Sequence, residues 1–217
     1  KTLNDEDRRA ELISRMQEVG YGRPSGNMWT HIGSDRNKHL EGMLFDEVAA
    51  DWGVGVEEMV CRVMAEESLT CGFRGTPPTS VKVWRQVEED VMELMSRPDY
   101  MVGSDSIPVG GIPHPRAYGC FVRVLGRLRR RYNYPVEQVV QRLTQNPAER
   151  FGLTDRGVIA EGKFADLVIF DAERVIDRSS FEDPQVHPEG VPWVLVNGQI
   201  AVENEAVTGV LAGEAIP

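Results

Sequence analysis

Asp105, His114 and Arg116 are the side chains best spaced for chemistry, all within residues 101–116, MVGSDSIPVGGIPHPR. Tyr100-Met101-Val102 is an apolar run too short for a helix. Gly103-Ser104-Asp105 follows at once, then a loop rich in Gly and Pro. That order predicts a buried strand that delivers the Asp105 carboxylate to its C-terminal end. In an α/β barrel such strand ends face the active-site mouth, and the loops after them carry the reacting groups. His114 and Arg116 lie on that same loop, within reach of the same mouth.

Each residue also has an ordinary reading. Ser-Asp-Ser beside Gly and Pro is common turn chemistry, so spacing alone leaves Asp105 between a turn and a catalytic role. His114, between two prolines, reads equally as a plain loop histidine, and Arg116 as a solvated arginine at a helix start. A second strand-then-turn unit runs from Met28 to Asp35. It offers His31 and Asp35 as site residues, although a histidine inside a strand more often has a structural role.

The elements that must position these groups can be taken in order. The spacing predicts helices over 8–19, 43–52, 56–67 and 80–96, each with apolar residues on one face. Gly20 and Gly22 are expected to stop the first. Residues 68–79, with Gly72, Gly75 and Pro77-Pro78, read as a loop long enough to form a lid or substrate wall. A long helix is expected over 117–131, a shorter one over 136–144 behind Pro135, and a last one over 148–151. The basic run 127–131 reads as a solvated helix end. From Gly157 the character becomes all-β: strands at 158–159, 165–171, 193–196 and 199–202, with Asn197-Gly198 a type I′ hairpin signal. Alternating helices, loops and strands indicate an α/β fold.

The chain has 217 residues and a net charge of -10, which argues against a nucleic-acid surface. Cys61, Cys71 and Cys120 have no CxxC spacing and suit a reducing, cytoplasmic setting. No run of about 18 apolar residues is present, so no membrane helix is expected. The N-terminus lacks Met and enters a charged helix, as though cut from something longer.

Three pieces together resemble the amidohydrolase superfamily: the strand ending in Gly103-Ser104-Asp105, residues 144–153 (TQNPAERFGL), and residues 157–171 (GVIAEGKFADLVIFD). Within it, residues 102–108, His114-Pro115-Arg116, Phe181-Glu182-Asp183-Pro184, residues 194–198 and Thr208-Gly209 resemble the N-acyl-D-amino-acid deacylases, or D-aminoacylases. The likeness is good over about 40–210 and loose before that. It implies a zinc-dependent hydrolase of the amide bond of N-acyl-D-amino acids. Residues 1–153 would be the C-terminal part of a TIM-like (β/α) barrel, and 154–217 part of a small β-sandwich. Asp105 matches the family's aspartate beside the metal, which takes a proton from the attacking water and passes it to the leaving amine. Arg116 matches the arginine that holds the substrate carboxylate, and His114 helps shape that substrate-binding loop.

The departures are as informative. The family's early His-x-His is absent, and Cys61, Cys71 and Cys120 fall at the wrong places for its metal-binding cysteine. His31, His39, His114 and His187 do not replace the missing set. Zinc needs at least three well-placed protein ligands. Ser106 stands where the family usually has Gly. The expectation is a C-terminal half, inactive alone, that associates with a missing N-terminal half or with itself. Two alternatives remain: a non-catalytic half-barrel interaction module, or an amidohydrolase acting on a cyclic amide.

Overall fold

A bulged β-ribbon and a four-stranded meander hold all the paired strands among the described residues. The computed structural model describes residues 2–19, 24–75, 77, 80–107 and 109–216. Gly20 and Gly22, with Thr76, Pro78, Thr79 and Pro108, lie outside them. The fold is mixed α/β, divided into two compact units.

The first unit comprises Lys1–Pro77, Ser106–His114 and Phe181–Pro184. It contains α1 (Glu6–Val19), β1 (Asn27–Ile32), α2 (Phe45–Trp52), α3 (Val56–Glu66) and β2 (Cys71–Gly75). β1 pairs antiparallel with β2, with an irregularity between Trp29 and His31. The expected loop over 68–79 is therefore partly a strand: Cys71–Gly75 completes the ribbon by pairing with β1. Trp29, Ile32, Phe45, Val48, Met59 and Val63 form its buried core, with the Trp29 and Phe45 ring centroids 4.3 Å apart. Gly53, at φ 65°, ends α2 in the left-handed conformation that glycine adopts most readily.

The second unit comprises Pro78–Asp105, Pro115–Ser180 and Gln185–Pro217. It contains α4 (Val81–Ser96), α5 (Arg116–Val122), a π-helical stretch (Arg123–Leu128), α6 (Arg129–Arg131), α7 (Val136–Leu143) and α8 (Gln145–Arg150). The pieces from Arg116 to Arg131 follow without a break, so the long helix is present with a widened middle. Met92, Met95, Val124, Leu125, Leu128, Val139 and Val175 make the core. β3 (Leu167–Ile169), β4 (Trp193–Val196), β5 (Gln199–Glu203) and β6 (Ala206–Val207) form an antiparallel sheet in sequence order. Asn197 and Gly198 turn between β4 and β5 with φ of 48° and 78°, as the hairpin signal requires.

Three expectations are corrected here. Residues 100–102 are not a strand. The Tyr100 carbonyl accepts from Asn146 Nδ2 at 2.8 Å, and Val102 N–H donates to the Arg142 carbonyl at 3.3 Å. These groups serve α7 and α8 instead of a ladder. Val158-Ile159 is not a strand either. Its surroundings form turns, with Phe164 N–H on the Asp155 carbonyl and Lys163 N–H on the Ala160 carbonyl, and Ile159 is 91% exposed. The basic run 127–131 is not merely solvated. Arg127 pairs with Asp177, Arg131 with Glu88, and Arg129 reaches the Ala172 carbonyl.

Candidate functional site

Asp105 stands at the end of a backbone fixed from below. Arg142, 4% exposed, donates from its guanidinium to the Met95 and Arg97 carbonyls at 3.2 and 3.1 Å. Asn146 Nδ2 donates to the Pro98 carbonyl at 2.7 Å as well as to Tyr100. Tyr100 and Val102 pack on the second unit's core. The chain then leaves the core, and Asp105 adopts φ 45°. A left-handed φ is uncommon outside glycine, but aspartate tolerates it better than most.

The Asp105 side chain is 90% exposed, and its Oδ2 lies 3.3 Å from the Arg116 guanidinium. Arg116 is the first residue of α5, directly after Pro115. The two side chains that the sequence singled out for proton transfer and carboxylate binding thus meet. Burial pushes the Cys120 thiol on the same helix upward from its ordinary value, with the Arg116 charge opposing.

His114 lies in the first unit. Its ring meets Phe181 edge-on at 5.0 Å. The Arg74 guanidinium covers Phe181 at 4.8 Å and donates to the Phe181 carbonyl at 2.8 Å. Arg74 is 7% exposed, and burial draws its pKa down, with the Glu182 charge opposing. In the same unit Gly110 presses on β1: a Cβ there would lie 2.0 Å from the Thr30 carbonyl. Only glycine permits that approach, at its φ of 85°.

His31 Nδ1 lies 3.7 Å from Glu41 Oε1, which Lys38 Nζ also approaches at 2.6 Å. Its setting is an ion cluster at the end of β1. Asp35 sits in the turn that follows, its carbonyl accepting from Lys38 N–H. Sequence reasoning missed Arg74, Asp177 and Ser179. The sequence carried no distinguishing signal for Arg74, which shares its ribbon with Asn27, Thr30 and His31; the alternation that marks Asp177 and Ser179 is one of burial, seen only in the folded chain.

The signature of the amidohydrolase family matches residues 31–202. The chain belongs to the amidohydrolase family. Its relatives narrow the likeness. A D-aminoacylase from Alcaligenes xylosoxydans xylosoxydans is 35% identical over 178 residues, 82% of this chain and 34% of the relative. A solved D-aminoacylase superposes with a TM-score of 0.71 at 28% identity, covering 95% of this chain and 45% of that one. The N-acyl-D-glutamate deacylase from Bordetella bronchiseptica, solved with zinc and a phosphonate mimic of the tetrahedral intermediate, gives 0.67 at 30% identity, covering 90% and 43%. This amidohydrolase chain therefore spans about a third of the curated D-aminoacylase and under half of the solved chains.

Zinc in such a relative raises the question of where this amidohydrolase would hold one. Among the described residues no three His, Cys, Asp or Glu side chains come together as a metal site. The near partner shown for the Asp105 carboxylate is a cation, Arg116. The described residues by themselves do not fit a metal centre. No described helix is long and apolar enough to cross a membrane.

Proposed function

We propose that this chain is the C-terminal portion of a metal-dependent deacylase that hydrolyses the amide C–N bond of N-acyl-D-amino acids. Residues 1–153 would contribute to its TIM-like barrel and 154–217 to a small β-sandwich. The observation that carries the reading is the Asp105–Arg116 pair, 3.3 Å apart, in a chain related to D-aminoacylases.

Arg116 would bind the substrate carboxylate. A guanidinium offers two parallel N–H donors to a carboxylate, a stronger and more directional contact than a single one. In the structure one of these groups, Nη2, stands 3.3 Å from Asp105 Oδ2. A substrate carboxylate arriving at Arg116 would compete for it and release Asp105 Oδ2 for proton transfer. Asp105 would then accept a proton as water adds to the acyl carbonyl carbon. It would return that proton to the amide nitrogen as the C–N bond breaks, leaving a carboxylate and a free D-amino acid. His114, braced by Phe181, would shape the loop before Arg116. The metal ligands would come from the length that the relatives have and this chain does not span, as would the partner surface that completes the barrel.

The test is hydrolysis by the complete deacylase that contains this chain, assayed on paired N-acetyl-D- and N-acetyl-L-amino acids. Release of free amino acid from the D series is the expected result. Turnover of neither series, with cyclic amides opened instead, would replace the reading.

A further inference from the structure

The segment 175–179 lies along the helix that begins with Arg116, in the second unit. Its residues alternate in burial: Val175 is 0% exposed, Asp177 1% and Ser179 8%, with Ile176 and Arg178 more exposed between them. That period of two marks extended backbone with one face turned to the helix. Each inward residue has its own seat. Val175 meets Gly126, where an added Cβ would stand 2.2 Å from the Val175 carbonyl. Asp177 is held by Arg123 at 2.8 Å and Arg127 at 3.0 Å. Ser179 meets Gly119, where an added Cβ would stand 2.4 Å from Ser179 Oγ.

The third seat bears on the site. Ser179 Oγ–H donates to the Pro115 carbonyl at 3.0 Å. That carbonyl also accepts the first helical bonds, from Tyr118 N–H at 3.1 Å and Gly119 N–H at 2.9 Å. Pro115 is the residue immediately before Arg116. Asp177 and Val175 fasten the segment farther along the helix, so the Ser179 hydroxyl is not needed to keep the two together. Its bond falls at the helix start, on the carbonyl of the residue that precedes Arg116.

We propose that Ser179 is a positioning residue for Arg116, holding the guanidinium where a substrate carboxylate is received, and that Gly119 is glycine so that this hydroxyl can reach the Pro115 carbonyl. The inference rests on the reading of Arg116 given above and adds two residues to it. Because Ser179 acts through a binding group, its loss falls on KM and spares kcat. A misplaced binding group weakens capture of the substrate, whereas the backbone that leads to Asp105, held over 95–102 by Arg142 and Asn146, is left in place.

The experiment is steady-state kinetics of the complete deacylase on an N-acetyl-D-amino acid, with thermal melting alongside. Ser179→Ala is expected to raise KM about three- to tenfold, the worth of one hydrogen bond, with kcat within about twofold of wild type. Gly119→Ala is expected to do the same, because its methyl displaces the hydroxyl. The double variant is expected to be no worse than Gly119→Ala alone, since the hydroxyl is the tightest neighbour of the added methyl, with Asp177 Cβ next at 3.3 Å. In an Arg116→Ala background, Ser179→Ala is expected to add nothing to KM. An unchanged KM with only a lowered melting temperature in both single variants would overturn the positioning role. So would KM increases that multiply in the double variant. An unchanged KM in Arg116→Ala itself would instead remove the substrate-binding reading, before Ser179 is brought into question.

Discussion

The carboxylate of Asp177 receives the Arg127 guanidinium at 3.0 Å while being itself 1% exposed. Arg127 Nη2 also donates to the Asp177 backbone carbonyl at 3.2 Å, and Arg123 closes the other side of the carboxylate at 2.8 Å. One buried anion thus joins the 175–179 segment to the helix through two guanidiniums.

Asp177→Asn should therefore destabilise the chain. Removing one partner of a fully buried pair costs about 3–5 kcal/mol. Here the arginines are 40% and 37% exposed and can turn to water, so about 2 kcal/mol is expected. Urea denaturation at neutral pH measures it. A change below about 0.5 kcal/mol, the range of ordinary surface substitutions, would show that the clamp contributes little.

A second prediction concerns acid. Glu67 is 3% exposed. Burial alone would raise its pKa, but hydrogen bonds from the Ser34 hydroxyl, Asn37, and the Ser34 and Gly33 backbone N–H groups hold it below the ordinary value of 4.5. A carboxyl lowered in the folded state contributes stability above its unfolded pKa and loses it as pH falls through the folded one. The stability lost between pH 6 and pH 3 should therefore be smaller in Glu67→Gln than in wild type, while Glu67→Gln is less stable at pH 6. Equal acid slopes in the two proteins would contradict the assignment.

The three thiols give a third. Burial raises the pKa of Cys61, Cys71 and Cys120, and a thiol reacts as its thiolate. Reaction with a disulfide reagent at pH 7 should be slow in the native chain and complete within minutes in denaturant. Fast labelling of Cys61, the fully buried one of the three, in the native chain would mean that α3 opens readily.

Much of this was legible beforehand, for identifiable reasons. Helices such as Val81–Ser96 carry a strong apolar period, and Asn197-Gly198 requires positive φ at both residues, so local chemistry is enough. A loop rich in Gly and Pro draws attention to Asp105 and Arg116, whose side chains lie 3.3 Å apart. Residues 100–102 misled because a short apolar run half-buried against helices has the same composition as a strand. What distinguishes them is the distant Arg142 and Asn146, which take up the backbone groups. Cys71–Gly75 was hidden because its pairing partner lies across the whole of α2 and α3. The basic run looked solvated because its principal partner, Asp177, is remote in sequence.

A fourth prediction is metal content. With no group of three ligands among the described residues, the 217-residue chain should retain far less than one equivalent of zinc after dialysis, by elemental analysis. About one zinc per chain would show that a site is assembled from these residues or between copies.

The most direct test is kinetic, on the complete deacylase with single substitutions at the pair. Asp105→Asn should lower kcat by about a hundredfold or more, the scale of general acid–base catalysis, with KM little changed. Arg116→Ala should raise KM for N-acyl-D-amino acids and leave amides without a carboxylate unaffected. Normal turnover in Asp105→Asn, or an unchanged KM in Arg116→Ala, would contradict the roles assigned to these two residues.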